Sequence, residues 1–116
     1  AASLTFGKSP RTPNFTTVNA AGGNLATAGQ LVEGLNLVAG SDNAKGVKLP
    51  ACVAGAQCVV VNMVTDKTLL IYPPVSKQVN LKGANNAITV AANTVGIYWS
   101  EGANAWYGLH AATDVA

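Results

Sequence analysis

Side chains that carry charge or do chemistry are scarce in this chain. Of its 116 residues only 10% are charged, against roughly 25% in an ordinary soluble domain. There is one histidine, His110, and five acids (Glu33, Asp42, Asp66, Glu101 and Asp114) that each stand alone in sequence. An enzyme needs a base, a nucleophile or a metal held beside a partner group. The pattern therefore argues against catalysis and against a bound cofactor. No run of about 18 apolar residues occurs, so no transmembrane helix is expected. No signal peptide is visible. Cysteine is limited to Cys52 and Cys58, and their spacing with His110 matches no zinc site. Without a secretory route the two thiols read as reduced, small apolar residues. A short-loop disulfide is the alternative.

What is present is apolar and small. The hydrophobic fraction is 49%, dominated by Ala and Val, with Gly and Asn between them. The length fits one domain. A free monomer normally keeps a more charged surface for solubility, so this composition suits a protein packed against other subunits. The net charge of +2 sits at one end. Residues 1–32 carry Lys8 and Arg11 and no acid, while the remaining lysines and acids cancel. Two cations are too few for a nucleic-acid groove. Neither nucleic acid nor membrane is expected as a partner.

Residues 1–18 read as an extended N-terminal arm ahead of a single β domain over 19–116. Pro10 and Pro13 remove backbone donors and favour extended geometry before them. The arm holds both phenylalanines, Phe6 and Phe15, where a disordered tail usually lacks aromatics. With Lys8 and Arg11 they make a candidate contact set for a neighbouring surface.

Beyond a Gly/Ala-rich connector, short β-type runs alternate with turn clusters. Runs are expected near Gln30–Val38 (with a bulge at Gly34), Val47–Leu49, Gln57–Val64, Thr68–Tyr72, Val75–Leu81, Ala87–Ala92, Val95–Trp99 and Ala105–Leu109. Gln57–Val64 is apolar on both alternations, the pattern of a central strand buried on both faces. Thr68–Tyr72 is expected to return beside it after a turn at Asp66-Lys67. Turn signals every 8–12 residues predict an antiparallel β-sandwich or small barrel of about seven strands. No segment sustains a helical period.

Local motifs add little. Gly7-Lys8-Ser9 lacks the upstream glycine and preceding strand of a phosphate-binding loop. Asn14-Phe15-Thr16 is a glycosylation sequon with no secretory context. His110 has no acid beside it in sequence. The aromatic group Tyr98, Trp99, Trp106 and Tyr107 has two readings, subunit packing or a carbohydrate-stacking platform, with Tyr72 as a further member. Adjacent strand residues point to opposite faces, so one of each pair is expected in the core and one outside. Aromatic enrichment in interface centres favours subunit packing.

The order of segments across residues 46–109 carries a resemblance. Gly46-Val47-Lys48-Leu49-Pro50 is followed by an Ala/Gly loop, then Val59-Val60-Val61-Asn62, Leu69-Leu70-Ile71-Tyr72-Pro73-Pro74, Val79-Asn80, an alternating Ala/Val strand and two late tryptophans. This resembles a small β module of tailed-bacteriophage structural proteins, most like capsid decoration (cement) proteins and also some tail or fibre proteins. The resemblance covers a little over half the chain and leaves the arm outside. It implies a non-enzymatic virion component on the outer capsid surface, assembled in the host cytoplasm. The implied partners are the major capsid protein and further copies of the chain, as a homotrimer. About 15 extended residues span on the order of 50 Å, enough for the arm to cross to an adjacent shell subunit. The competing expectation is a glycan- or receptor-binding module of a tail fibre or adsorption apparatus.

Overall fold

The computed structural model describes residues 15–109, and all statements of structure below concern these residues. They form ten short strands and no helix. In chain order these are β1 (Phe15–Asn19), β2 (Gly29–Gln30), β3 (Gly34–Ala39), β4 (Gly46–Lys48), β5 (Gln57–Asn62), β6 (Leu69–Tyr72), β7 (Gln78–Val79), β8 (Ile88–Val90), β9 (Thr94–Ser100) and β10 (Ala105–Leu109).

The strands build two sheets. One has six strands in the order β1-β3-β5-β9-β10-β7, the other four in the order β2-β4-β6-β8. From β1 to β6 the chain alternates between the sheets, and every pairing among these strands is parallel. The first six strands therefore wind as three stacked turns of a two-sided β-solenoid. The long strands β9 and β5 then pair antiparallel, β10 folds back on β9, and β8 closes the other sheet antiparallel to β6. Short β7 lies at the edge, parallel to β10.

This corrects the antiparallel sandwich or barrel of about seven strands. The all-β reading stands, but five of the eight pairings are parallel. Asp66-Lys67 is a corner between the sheets, so Thr68–Tyr72 does not return beside β5. Alternation and turn spacing report where strands lie, and a solenoid corner looks like a hairpin turn in sequence. Parallel neighbours require only that the chain cross over before it pairs again.

The core lies between the sheets. Val38, Cys58, Val60, Val79, Tyr98 and Trp106 come from the six-stranded sheet, and Val47, Leu69, Ile71, Ile88 and Val90 from the other. Leu31 and Leu49 line one corner, each held by a backbone bond from its N–H to the next turn, at Lys48 O and Tyr72 O. Two buried asparagines fasten the corners. Asn36 accepts from Val32 N at 2.9 Å and donates to Val32 O and Val59 O at 2.9 and 3.0 Å. Asn62 accepts from Ser41 Oγ at 2.8 Å and donates to Lys67 O and Ala91 O at 2.9 and 3.1 Å. Each pins a bend whose backbone groups have left the sheet ladder, where an unpaired buried group would be costly.

The arm also ends earlier than expected. Phe15–Asn19 is strand β1, in parallel register with Leu35–Ala39. Phe6, Lys8, Arg11 and His110 lie outside the described residues. Gly34 has a φ of 105° and opens β3 after the corner, where a bulge within one continuous strand had been expected.

Candidate functional site: an apolar sheet face

The outward face of the six-stranded sheet is built by strand alternation. In β3, Asn36 and Val38 point inward, so Leu35 and Leu37 point out. In β5, Cys58, Val60 and Asn62 point inward, so Val59 and Val61 point out. In β9, Gly96, Tyr98 and Ser100 are inside, leaving Val95, Ile97 and Trp99 outside.

Register joins these positions into rows. Phe15, Leu35, Val59, Ile97 and Leu109 are successive partners across five strands. A second row runs Thr17, Leu37, Val61, Val95. A third runs Gln57, Trp99, Tyr107. No acid or base stands in these three rows. The face is open, with Phe15 63% and Leu109 74% exposed at its flanks and Val95 48% and Trp99 43% exposed between.

This sheet is thus apolar on its outer side as well as its inner one, unlike a one-sided sheet of a soluble domain, which presents polar residues to water. Its interior side holds two asparagines, a serine and a glycine among its apolar groups. The four-stranded sheet differs. Its outward rows are Gln30, Lys48, Tyr72 and Gly46, Leu70, Thr89, a mixed and partly charged surface.

The expectation that Gln57–Val64 is buried on both faces is corrected here. β5 is central and its inner residues are fully buried, but Val59 and Val61 are only half-buried. The pattern of a doubly covered strand is present without a second cover among the described residues.

The aromatic candidates separate. Tyr98 and Trp106 are fully buried and are removed as surface or glycan contacts. Trp106 donates from Nε1 to Pro50 O at 3.0 Å, fastening the loop before β5. Trp99 and Tyr107 are register partners on the apolar face, 43% and 42% exposed. Tyr72 is on the other sheet, with its hydroxyl donating to Gly23 O at 3.1 Å, so it cannot share a platform with them. Among the outward members of the first two rows, Leu35, Leu37, Val59 and Val61 were not singled out from sequence. Their signal was the apolar character of both alternations in β5.

The remaining chemistry is structural. Both cysteines are free. Burial, with Glu33 nearby, pushes the Cys58 thiol up to about 12 against a hydrogen bond from Asn36. Such a thiol is a core residue and a poor nucleophile. Glu101 caps the β9–β10 turn, accepting from the backbone of Ala103, Asn104 and Ala105. These bonds, Asn104 first, hold its carboxyl below the usual value, with Lys77 adding a small pull. Among the described residues no three His, Cys, Asp or Glu side chains gather to hold a metal. A shallow polar hollow of about 310 Å³ is lined by Ser76, Lys77, Gln78, Ala84 and Asn104, with no aromatic side chain among them.

No family model, curated protein or solved structure matches this chain.

Proposed function

We propose that this chain is a non-enzymatic virion structural protein, a capsid decoration protein that binds and stabilises the outer shell of a phage head. The observation that carries the assembly reading is the uncharged, apolar outer face of the six-stranded sheet. An exposed apolar face of this extent marks an interaction surface, as on a subunit of a larger structure. The resemblance across residues 46–109 supplies the virion context. The major capsid protein is the proposed shell partner. The segment preceding β1, with Phe6, Lys8 and Arg11, is the proposed fastening to it, and further copies of the chain complete the assembly. Many weak contacts on a repeating shell add up to high avidity.

Co-sedimentation with undecorated phage heads tests this. Saturable binding in a simple ratio to the major shell protein is the expected result. No binding to heads under conditions where the protein is folded overturns it.

One observation favours a second reading, a glycan-binding module of a tail fibre. Trp99 and Tyr107 lie side by side with their surfaces open, a geometry that suits stacking on a sugar. The informative variant is Trp99→Ala, because Trp106→Ala would remove a core residue. Loss of binding to host surface polysaccharide by folded Trp99→Ala protein supports this reading. Unaltered binding rejects it.

A further inference from the structure

We infer that the outward face of the six-stranded sheet is a homotypic interface, covered in the working protein by the same face of another copy of this chain. The inference rests on the proposed assembly role and names the occupant of its central surface.

Three features select a second copy over a different partner. The first is charge. With no acid or base in its three rows, the face offers nothing to attract a charged partner and nothing to repel itself. Electrostatic complementarity is the usual means of choosing a heterologous partner, whereas obligate homomeric interfaces are the most apolar class. The second is extent. The twelve outward positions of the three rows, each about 4.8 by 7 Å, cover on the order of 400 Å². That is the size of the largest patches on monomers, which are often functional, and it supplies about half of the roughly 800 Å² each partner contributes to a stable interface. The third is shape. The rows are regular, so two copies can interdigitate as paired sheets do, about 10 Å apart. A symmetric contact needs only that one patch complement itself, and it pairs two copies about a two-fold axis in place of the homotrimer that the resemblance implies.

The pattern within β5 agrees. Val59 and Val61 give it the residues of a strand covered on both sides, while the described residues cover only the side of Cys58, Val60 and Asn62. A second sheet over Val59 and Val61 completes the environment that the sequence encodes.

The test is the mass of the full chain in solution by light scattering across the micromolar range. The wild type is expected to have the mass of two chains or an even multiple of it, and a trimer overturns the inference. Leu35→Glu and Val95→Glu each introduce a charge at an already exposed position, and each is expected to reduce the mass to that of one chain with the β circular-dichroism signal unchanged. Thr89→Glu, on the outward side of the other sheet, is expected to leave the oligomer intact. A monomeric wild type overturns the inference, as does an oligomer that survives both face substitutions. An oligomer that dissociates on removal of residues 1–14 but resists both substitutions also overturns it, by placing self-association in the N-terminal segment. Head binding is measured separately on the same samples. An oligomer that ignores heads removes the decoration reading and leaves this interface standing, and a monomer that binds heads does the reverse.

Discussion

Two glycines are set against the buried ring of Tyr98, and their lack of a side chain is a packing requirement. A Cβ at Gly108 would stand 2.1 Å from Tyr98 Cδ1 and 2.4 Å from Ile97 O, and one at Gly96 would stand 2.5 Å from the Tyr98 hydroxyl. A core ring and a backbone carbonyl have little room to move. Gly108→Ala is therefore expected to cost about 2–3 kcal/mol in urea unfolding, at the upper part of the range for overpacking. Gly23→Ala, where the nearest neighbour of a new Cβ is Ala44 O at 3.6 Å, is expected to change stability by less than about 1 kcal/mol. Glu101 acts through a different mechanism. Its folded-state pKa is depressed by backbone donors, so its contribution is complete above the unfolded-state value and is lost as pH falls through the folded one. Carboxyl titration by NMR should place its midpoint below that of an ordinary glutamate, and Glu101→Gln should remove that acid-range step from the stability profile.

Among the elements, the corners carry as much of the fold as the strands. The strands of the four-stranded sheet are two to four residues long, too short to specify their own pairing. Asn36 supplies what β2 and β3 lack by bonding both backbone groups of Val32 and reaching Val59 O in the next turn. Asn36→Ala leaves these groups without that partner in a buried corner and is expected to cost about 3 kcal/mol, read from the urea midpoint at unchanged slope. Sequence reasoning located most strands to within a few residues, because Val, Ile and Tyr runs between Gly, Asn and Pro report extended backbone. Their partners were not legible. Thr68–Tyr72 reads as the returning arm of a hairpin, yet β6 lies in the opposite sheet beside β4 and β8. The equivalent corner positions Leu31, Leu49 and Pro73 are unevenly spaced, so no fixed repeat announces the coil.

For the whole molecule, the asymmetry between its two outer surfaces is the feature with consequences. One sheet shows water Lys48, Gln30, Thr89 and half-buried Tyr72, and the other shows uncharged apolar rows. The proposed fastening segment lies before the described body, which begins with Phe15 and Thr16 in β1. Deleting residues 1–14, which stops short of that strand, is expected to leave β circular dichroism and the unfolding midpoint unchanged while abolishing sedimentation with phage heads. Full head binding by the shortened chain would remove the arm from the mechanism.

The sequence by itself determined that this is an all-β chain, where most strands lie, and that one member of each late aromatic pair enters the core. Those properties follow from residue-by-residue preference and from period-two alternation, which are local. Only the tertiary structure decided that successive strands pass between two sheets, that Phe15 belongs to the body, and that Leu35, Val59, Ile97 and Leu109 form one row. Register between strands distant in sequence is set by cross-sheet packing and by side chains such as Asn36 and Asn62 reaching the next turn, and no local pattern encodes it.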